Sequence, residues 1–135
     1  MSPSATALAG FAAWTLTLAL MIGLYRSYFV LTGKRASNQF DPGGADVSEF
    51  SRRLCRAHAN CYENLPIFGA LIAVALITGK SALTDGLAMW FLAARIAQSV
   101  VHLLSTSTAA VNARFAFYLA QWMMMAVMAV RLLTA

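Results

Sequence analysis

Charge is what this chain has least of. Only 11% of its 135 residues are Asp, Glu, Lys or Arg while 60% are hydrophobic, and the mean hydropathy is +0.66. A water-soluble domain carries about 25% charged residues, so a soluble globular or disordered class is excluded. Acidic residues number five against ten basic ones. The two cysteines, Cys55 and Cys61, are six apart on a helical pattern, where about 100° per residue points them to different azimuths. They cannot pair with each other, and neither has metal-ligand spacing. They read as small buried apolar side chains, and no metal site is expected. Met1 to Thr6 has no basic leader, and the apolar stretch behind it is too long for a signal core, so it reads as a retained span.

Long hydrophobic runs are what the chain has instead. Four spans are predicted at about 5–31, 53–78, 83–104 and 113–133, each near the roughly 20 residues that cross a bilayer core. The second apolar run is short on its own, beginning at Leu65, so its helix must extend upstream through Asn60. The expected fold is all-α, an integral membrane four-helix bundle of up-down-up-down order, with the whole chain as one domain. The polar stretch Lys34 to Phe50 forms the first connection, Gly79 to Gly86 holds the second, and Ser105 to Asn112 the third. Gly33 suits a left-handed helix end, and Asp46 or Ser48 could cap the second helix.

The basic residues cluster at one end. Arg26, Lys34, Arg35, Arg52, Arg53 and Arg56 lie in or beside the first connection, which by the positive-inside rule puts the first and third loops in the cytoplasm and both termini on the opposite side. These cations flank apolar runs as topology determinants do, so membrane lipid is the expected partner and nucleic acid is not. The run Met123-Met124-Met125 with Met128 reads as apolar fill rather than a soft metal box.

Two polar stripes interrupt the apolar spans. Arg56, Asn60 and Glu63 fall within roughly a 60° arc of one helix face, with His58 nearly opposite. In the third span Arg95, Gln98 and His102 recur at i, i+3 and i+7, again on one face. Polar groups at membrane depth are costly unless they are paired or face a cavity, so both stripes should face the bundle interior or a subunit interface. Glu63 and Arg95 are natural partners for an internal ion pair, while the full set suits a ligand site. Pro66 removes a backbone donor one turn after Glu63 and frees the carbonyl of Tyr62. Two other classes fit parts of this pattern: a bis-histidine haem protein using His58 and His102, and a proton-coupled transporter built on Glu63.

The run Arg56-Ala57-His58-Ala59-Asn60-Cys61-Tyr62-Glu63-Asn64, followed by Pro66 and Phe68, resembles the second-helix signature of the MAPEG family, the membrane-associated proteins in eicosanoid and glutathione metabolism. The third span, with an internal arginine in FLAARIAQSVVH, and a fourth entered through Asn112-Ala113-Arg114 extend the resemblance over nearly the whole chain. It implies a homotrimer with glutathione as co-substrate, held between neighbouring protomers near the cytoplasmic face. Asn60 and Glu63 match family residues that grip the tripeptide, as do Arg35 at the end of the first span and Arg114 at the start of the fourth. Arg114 matches the residue that stabilises the thiolate and is the catalytic candidate. Arg56, Arg95, Gln98 and His102 complete the expected binding set. An acidic side chain suits the cationic amino group, guanidinium forks suit carboxylates, and a nearby cation favours a thiolate.

The implied activity is that of a glutathione-dependent transferase or peroxidase acting on lipophilic electrophiles or lipid hydroperoxides. The sequence departs from glutathione-using members in three places. Ala59 stands where they often carry arginine, and Gln98 and His102 stand where they often carry histidine and tyrosine. The alternative is therefore a non-catalytic scaffold on the same fold, binding lipid or a partner protein.

Overall fold

A computed structural model describes residues 1–135 as four helices: α1 Pro3–Leu31, α2 Glu49–Ile77, α3 Ala82–Leu104 and α4 Thr108–Thr134. Each is long and apolar enough to cross a membrane, and the chain is an integral membrane four-helix bundle. Local chemistry sets the ends. Ser2 caps α1 by accepting from the Ala5 N–H at 3.2 Å, with Pro3 in the first turn where its missing donor costs nothing. Gly33 follows the helix at φ +72°, the left-handed conformation that only glycine adopts cheaply, so the Lys34 N–H can turn back to the Phe29 carbonyl at 3.0 Å. Gly79 closes α2 the same way at φ +69°, with Lys80 N–H on the Ala75 carbonyl at 2.7 Å.

Two helix starts lie upstream of the apolar runs. Ser48 caps α2 by accepting from the Ser51 N–H at 3.0 Å, which adds a charged turn in which Glu49 and Arg52 pair at 3.7 Å. Asp46, the other candidate cap, is occupied elsewhere. Ser107 caps α4 by accepting from the Ala110 N–H at 3.2 Å, so only Ser105 to Ser107 separate α3 from α4. Most of the expected third turn, Ser105 to Asn112, is helix. Arg114 consequently sits almost two turns inside α4 rather than at its mouth.

α2 and α3 form the middle of the bundle, and α1 and α4 do not touch each other. Phe11, Phe68 and Phe91, one from each of the first three helices, join at the centre. Phe68 and Phe91 stack at 4.0 Å between centroids, and Phe11 tilts against them at 5.9 and 5.7 Å. All three are fully buried. Gly10 lets α1 approach α3, since a Cβ there would lie 2.7 Å from Leu92 Cδ2. Met125 and Met128 fill the core on the α4 side, while Leu16, Trp90, Trp122 and Val130 face outward as lipid-facing side chains do. Cys55 and Cys61 are both free and buried.

The first connection folds down onto the bundle. Arg35 Nη1 donates to Asp46 Oδ2 at 2.7 Å and to the Gln39 carbonyl at 2.8 Å, and its Nη2 donates to the Asp46 carbonyl. The Asp41 N–H donates to the same carboxylate at 3.2 Å. That amide, with the Arg35 guanidinium beside it, holds the Asp46 carboxyl below the usual carboxylate range. At the other end of the bundle, Ser4 Oγ meets Thr84 Oγ1 at 2.7 Å and the Ser4 N–H donates to Asp85 Oδ1 at 3.0 Å, tying the starts of α1 and α3 together.

Candidate functional site

α2 is the shared wall of two hollows. On one side α2, α3 and α4 enclose a polar cleft of about 260 Å³ into which Asn60, Glu63, Arg95, Gln98, Arg114 and Tyr118 project. On the other, α1, the first connection and α2 enclose a groove of about 450 Å³ that carries Arg26, Arg56 and His58 and no acidic side chain.

The cleft gathers five of the eight residues singled out from the sequence. Asn60 and Glu63 come from α2, Arg95 and Gln98 from α3, and Arg114 from α4. Two guanidiniums and one carboxylate face it, so the lining carries one net positive charge, which suits a ligand with more anionic than cationic groups. Arg95 is 1% exposed and lies over the Phe11 ring at 5.6 Å from the centroid. Its Nε and Nη2, and the Nε of Arg114, are buried donors with no hydrogen-bond partner in the protein. Buried polar groups in folded proteins are nearly always satisfied, so these two arginines carry hydrogen-bonding capacity that the protein itself does not use.

The expected Glu63–Arg95 ion pair is not made. The two ion pairs of the chain are Arg35–Asp46 and Glu49–Arg52. Glu63 sits at the exposed rim of the cleft while Arg95 lies in its wall over the Phe11 ring, so neither has an ion-pair partner in the protein.

Three of the predicted residues lie elsewhere. Arg35 is held in the first connection by Asp46 and Gln39 and does not line the cleft. Arg56 lies between Glu63 and Asn60 on the arc but one turn nearer the start of α2, and its side chain lines the α1-side groove beside Cys55 and Ala59. His102 is 6% exposed and sits behind the cleft, its Nδ1 3.5 Å from Asn60 Nδ2. It supports Asn60 rather than lining the hollow. His58 faces the α1-side groove, so the two histidines are separated by α2 and do not share a haem site. Nowhere do three His, Cys, Asp or Glu side chains converge.

Sequence inspection missed Gln121, Asn64 and Tyr118. Asn64 and Tyr118 line the cleft, and Asn64 Nδ2 also donates to the Asn60 carbonyl at 2.9 Å. Gln121, 1% exposed, donates from Nε2 to Gln98 Oε1 at 2.9 Å, and Gln98 Nε2 donates to the Arg114 carbonyl at 3.1 Å. The available signal was its place seven residues after Arg114, which puts both on one face of α4.

A family model described as the MAPEG family matches residues 4–134. No curated protein and no solved structure matches the chain.

Proposed function

Since the chain belongs to the MAPEG family, we propose that it acts as a glutathione-dependent transferase or peroxidase on lipophilic electrophiles or lipid hydroperoxides. The observation that carries this is the cleft itself. In a chain with 11% charged residues, one carboxylate, two guanidiniums and two amides meet in a single hollow, and three of the arginine N–H donors there are unspent. That set is complementary to a tripeptide with one ammonium, two carboxylates and a thiol.

Glu63 at the rim takes the ammonium, with Asn60, steadied by His102, beside it. Arg95 in the wall takes a carboxylate. Arg114 holds the sulfur as thiolate, since a half-buried guanidinium stabilises an adjacent anion more than it would in bulk solvent. The bound thiol supplies the nucleophile: its sulfur forms a bond to an electrophilic carbon and displaces the leaving group, or reduces a hydroperoxide with a second thiol completing the disulfide. The protein brings a water-soluble thiol beside a membrane-soluble partner, which turns a bimolecular encounter into a local one.

Arg35 and Arg56 lie on the α1 side of α2, so they reach such a ligand only from a neighbouring protomer. The homotrimer is proposed with that role for them. The cytoplasmic side is proposed for the end bearing the first and third connections, where the basic residues cluster. A non-catalytic scaffold is the second reading, and Gln98 favours it, because its amide is spent within the protein instead of being offered to a ligand.

The test is turnover by purified protein in detergent, with glutathione and either a chromogenic aryl halide or a lipid hydroperoxide. Wild type is expected to turn over at least one. Arg114→Ala should lower kcat by about a hundredfold or more, as loss of an anion-stabilising donor does. Glu63→Gln should act mainly on KM for glutathione. No turnover and no glutathione binding by wild type would leave the scaffold.

A further inference from the structure

Gln121 is the one buried polar side chain of α4, and it does not face the cleft. Its Nε2 donates both to the Phe117 carbonyl of its own helix and to Gln98 Oε1 across the α3 interface, each at 2.9 Å. Gln98 passes the connection on, its Nε2 donating to the Arg114 carbonyl at 3.1 Å. The chain of bonds therefore leaves α4 at Gln121, crosses to α3 at Gln98 and returns to α4 at Arg114, two turns earlier. Both ends of the Gln98 amide are engaged by the protein, although Gln98 stands in the cleft wall.

The rest of the α4 packing gives that loop of bonds its importance. α4 touches α2 and α3 but not α1, and its buried side chains besides Gln121 are Ala110, Met125 and Met128. Small and unbranched apolar side chains pack well in several registers, and methionine adapts most easily of all. A directional hydrogen bond in apolar surroundings is lost at a shift of one residue.

We propose that Gln98 and Gln121 are positioning residues: their amide pair clamps the Arg114–Gln121 stretch of α4 to α3 and so fixes the Arg114 guanidinium at the cleft, and this is the contribution of Gln98 in place of a ligand contact. The inference rests on the glutathione reading above, which supplies the group that Arg114 would face. It assigns a function to Gln121, a residue outside the cleft, and explains why an amide at position 98 is compatible with the site.

The experiment compares wild type, Gln121→Leu and the double variant Gln98→Leu/Gln121→Leu as full-length protein in detergent. It measures thermal midpoint, glutathione binding by calorimetry, and the ultraviolet thiolate signal per bound glutathione at neutral pH. The single variant takes from Gln98 Oε1 its donor but also removes the buried, unbonded Gln121 Oε1, so its midpoint should fall by only a few degrees. The double variant removes both partners, a change that is close to neutral for stability, so its midpoint should return towards that of wild type. A merely structural pair predicts that the thiolate signal returns as well. A positioning pair predicts that it stays about tenfold down in both variants while glutathione still binds, because a small misplacement of a charge-stabilising group is enough to lose its effect. A double variant with the wild-type thiolate signal overturns the inference and leaves the glutathione reading standing. So does loss of binding with an unchanged signal per bound molecule, which would make Gln98 a ligand contact. A wild type that binds no glutathione overturns the reading and the inference together.

Discussion

Replacing Arg95 by methionine should make the unliganded protein more stable and the liganded one less so. Arg95 is 1% exposed, has no carboxylate partner, and leaves Nε and Nη2 buried and unbonded. Each orphaned donor costs about 1 kcal/mol at the low end. Against that, the guanidinium gains about 1 kcal/mol from the Phe11 ring, whose centroid is 5.6 Å away. The balance is a site unfavourable to folding by about 1 kcal/mol, and methionine fills a similar length without polar atoms. Unliganded Arg95→Met should therefore unfold about 3 °C above wild type. Glutathione at a hundredfold excess over its Kd should stabilise wild type by about 2.7 kcal/mol and the variant hardly at all. The order of the two midpoints would thus reverse on adding the ligand. The assay is thermal unfolding in detergent with and without glutathione. A variant several degrees below wild type without ligand would refute the reasoning, since it would mean that Arg95 is satisfied by protein. A retained ligand shift would show that the guanidinium does not hold the tripeptide.

Three further outcomes follow from the packing and the first connection. Phe91→Ala removes the ring that stacks on Phe68 at 4.0 Å and should cost about 3 kcal/mol or more, read as a lower unfolding midpoint in detergent. Gly44→Ala should loosen the first connection, because φ is +74° and a Cβ would lie 2.8 Å from both Cys55 Sγ and the Ser51 carbonyl. Limited proteolysis should then cut between Gln39 and Val47 faster than in wild type, with the helices intact. The Asp46 carboxyl is held low in the folded state, so its contribution is present in full above the unfolded value of about pH 4 and is lost as pH falls through the folded value. Amide exchange in the first connection should be steady, after correction for intrinsic rates, across neutral and mildly acidic pH and rise only below about pH 4. A rise between pH 5 and 7 would contradict the assignment.

The four helices were legible because an uncharged apolar run long enough to span a bilayer has almost no other stable conformation. The helix starts were less so. The first turn of α2 is charged, and that of α4, Thr108 to Val111, directly follows a run of serine and threonine that reads as a turn; Ser48 and Ser107 fix the two starts through capping bonds that hydropathy does not register. The cleft was partly legible, since Asn60 with Glu63 and Arg95 with Gln98 each share a helix face, and faces that are polar at membrane depth turn inward. Arg35 and Arg56 went elsewhere for different reasons. The fate of Arg35 depends on how the first connection folds around Asp46, and Arg56 stands on the border between two hollows, where a helical wheel treats a long side chain as a point. Gln121 escaped notice because its partner, Gln98, lies on another helix; its spacing from Arg114 marks a shared face of α4 but not that bond.

The central claim is that the hollow between α2, α3 and α4 holds the thiol tripeptide. Its most direct test is an experimental structure of the protein in lipid nanodiscs with glutathione added. Density for the tripeptide should lie against Asn60, Glu63, Arg95 and Arg114, with the sulfur nearest the Arg114 guanidinium. Density confined to the Arg26 and His58 groove on the α1 side, or none at saturating glutathione, would contradict it.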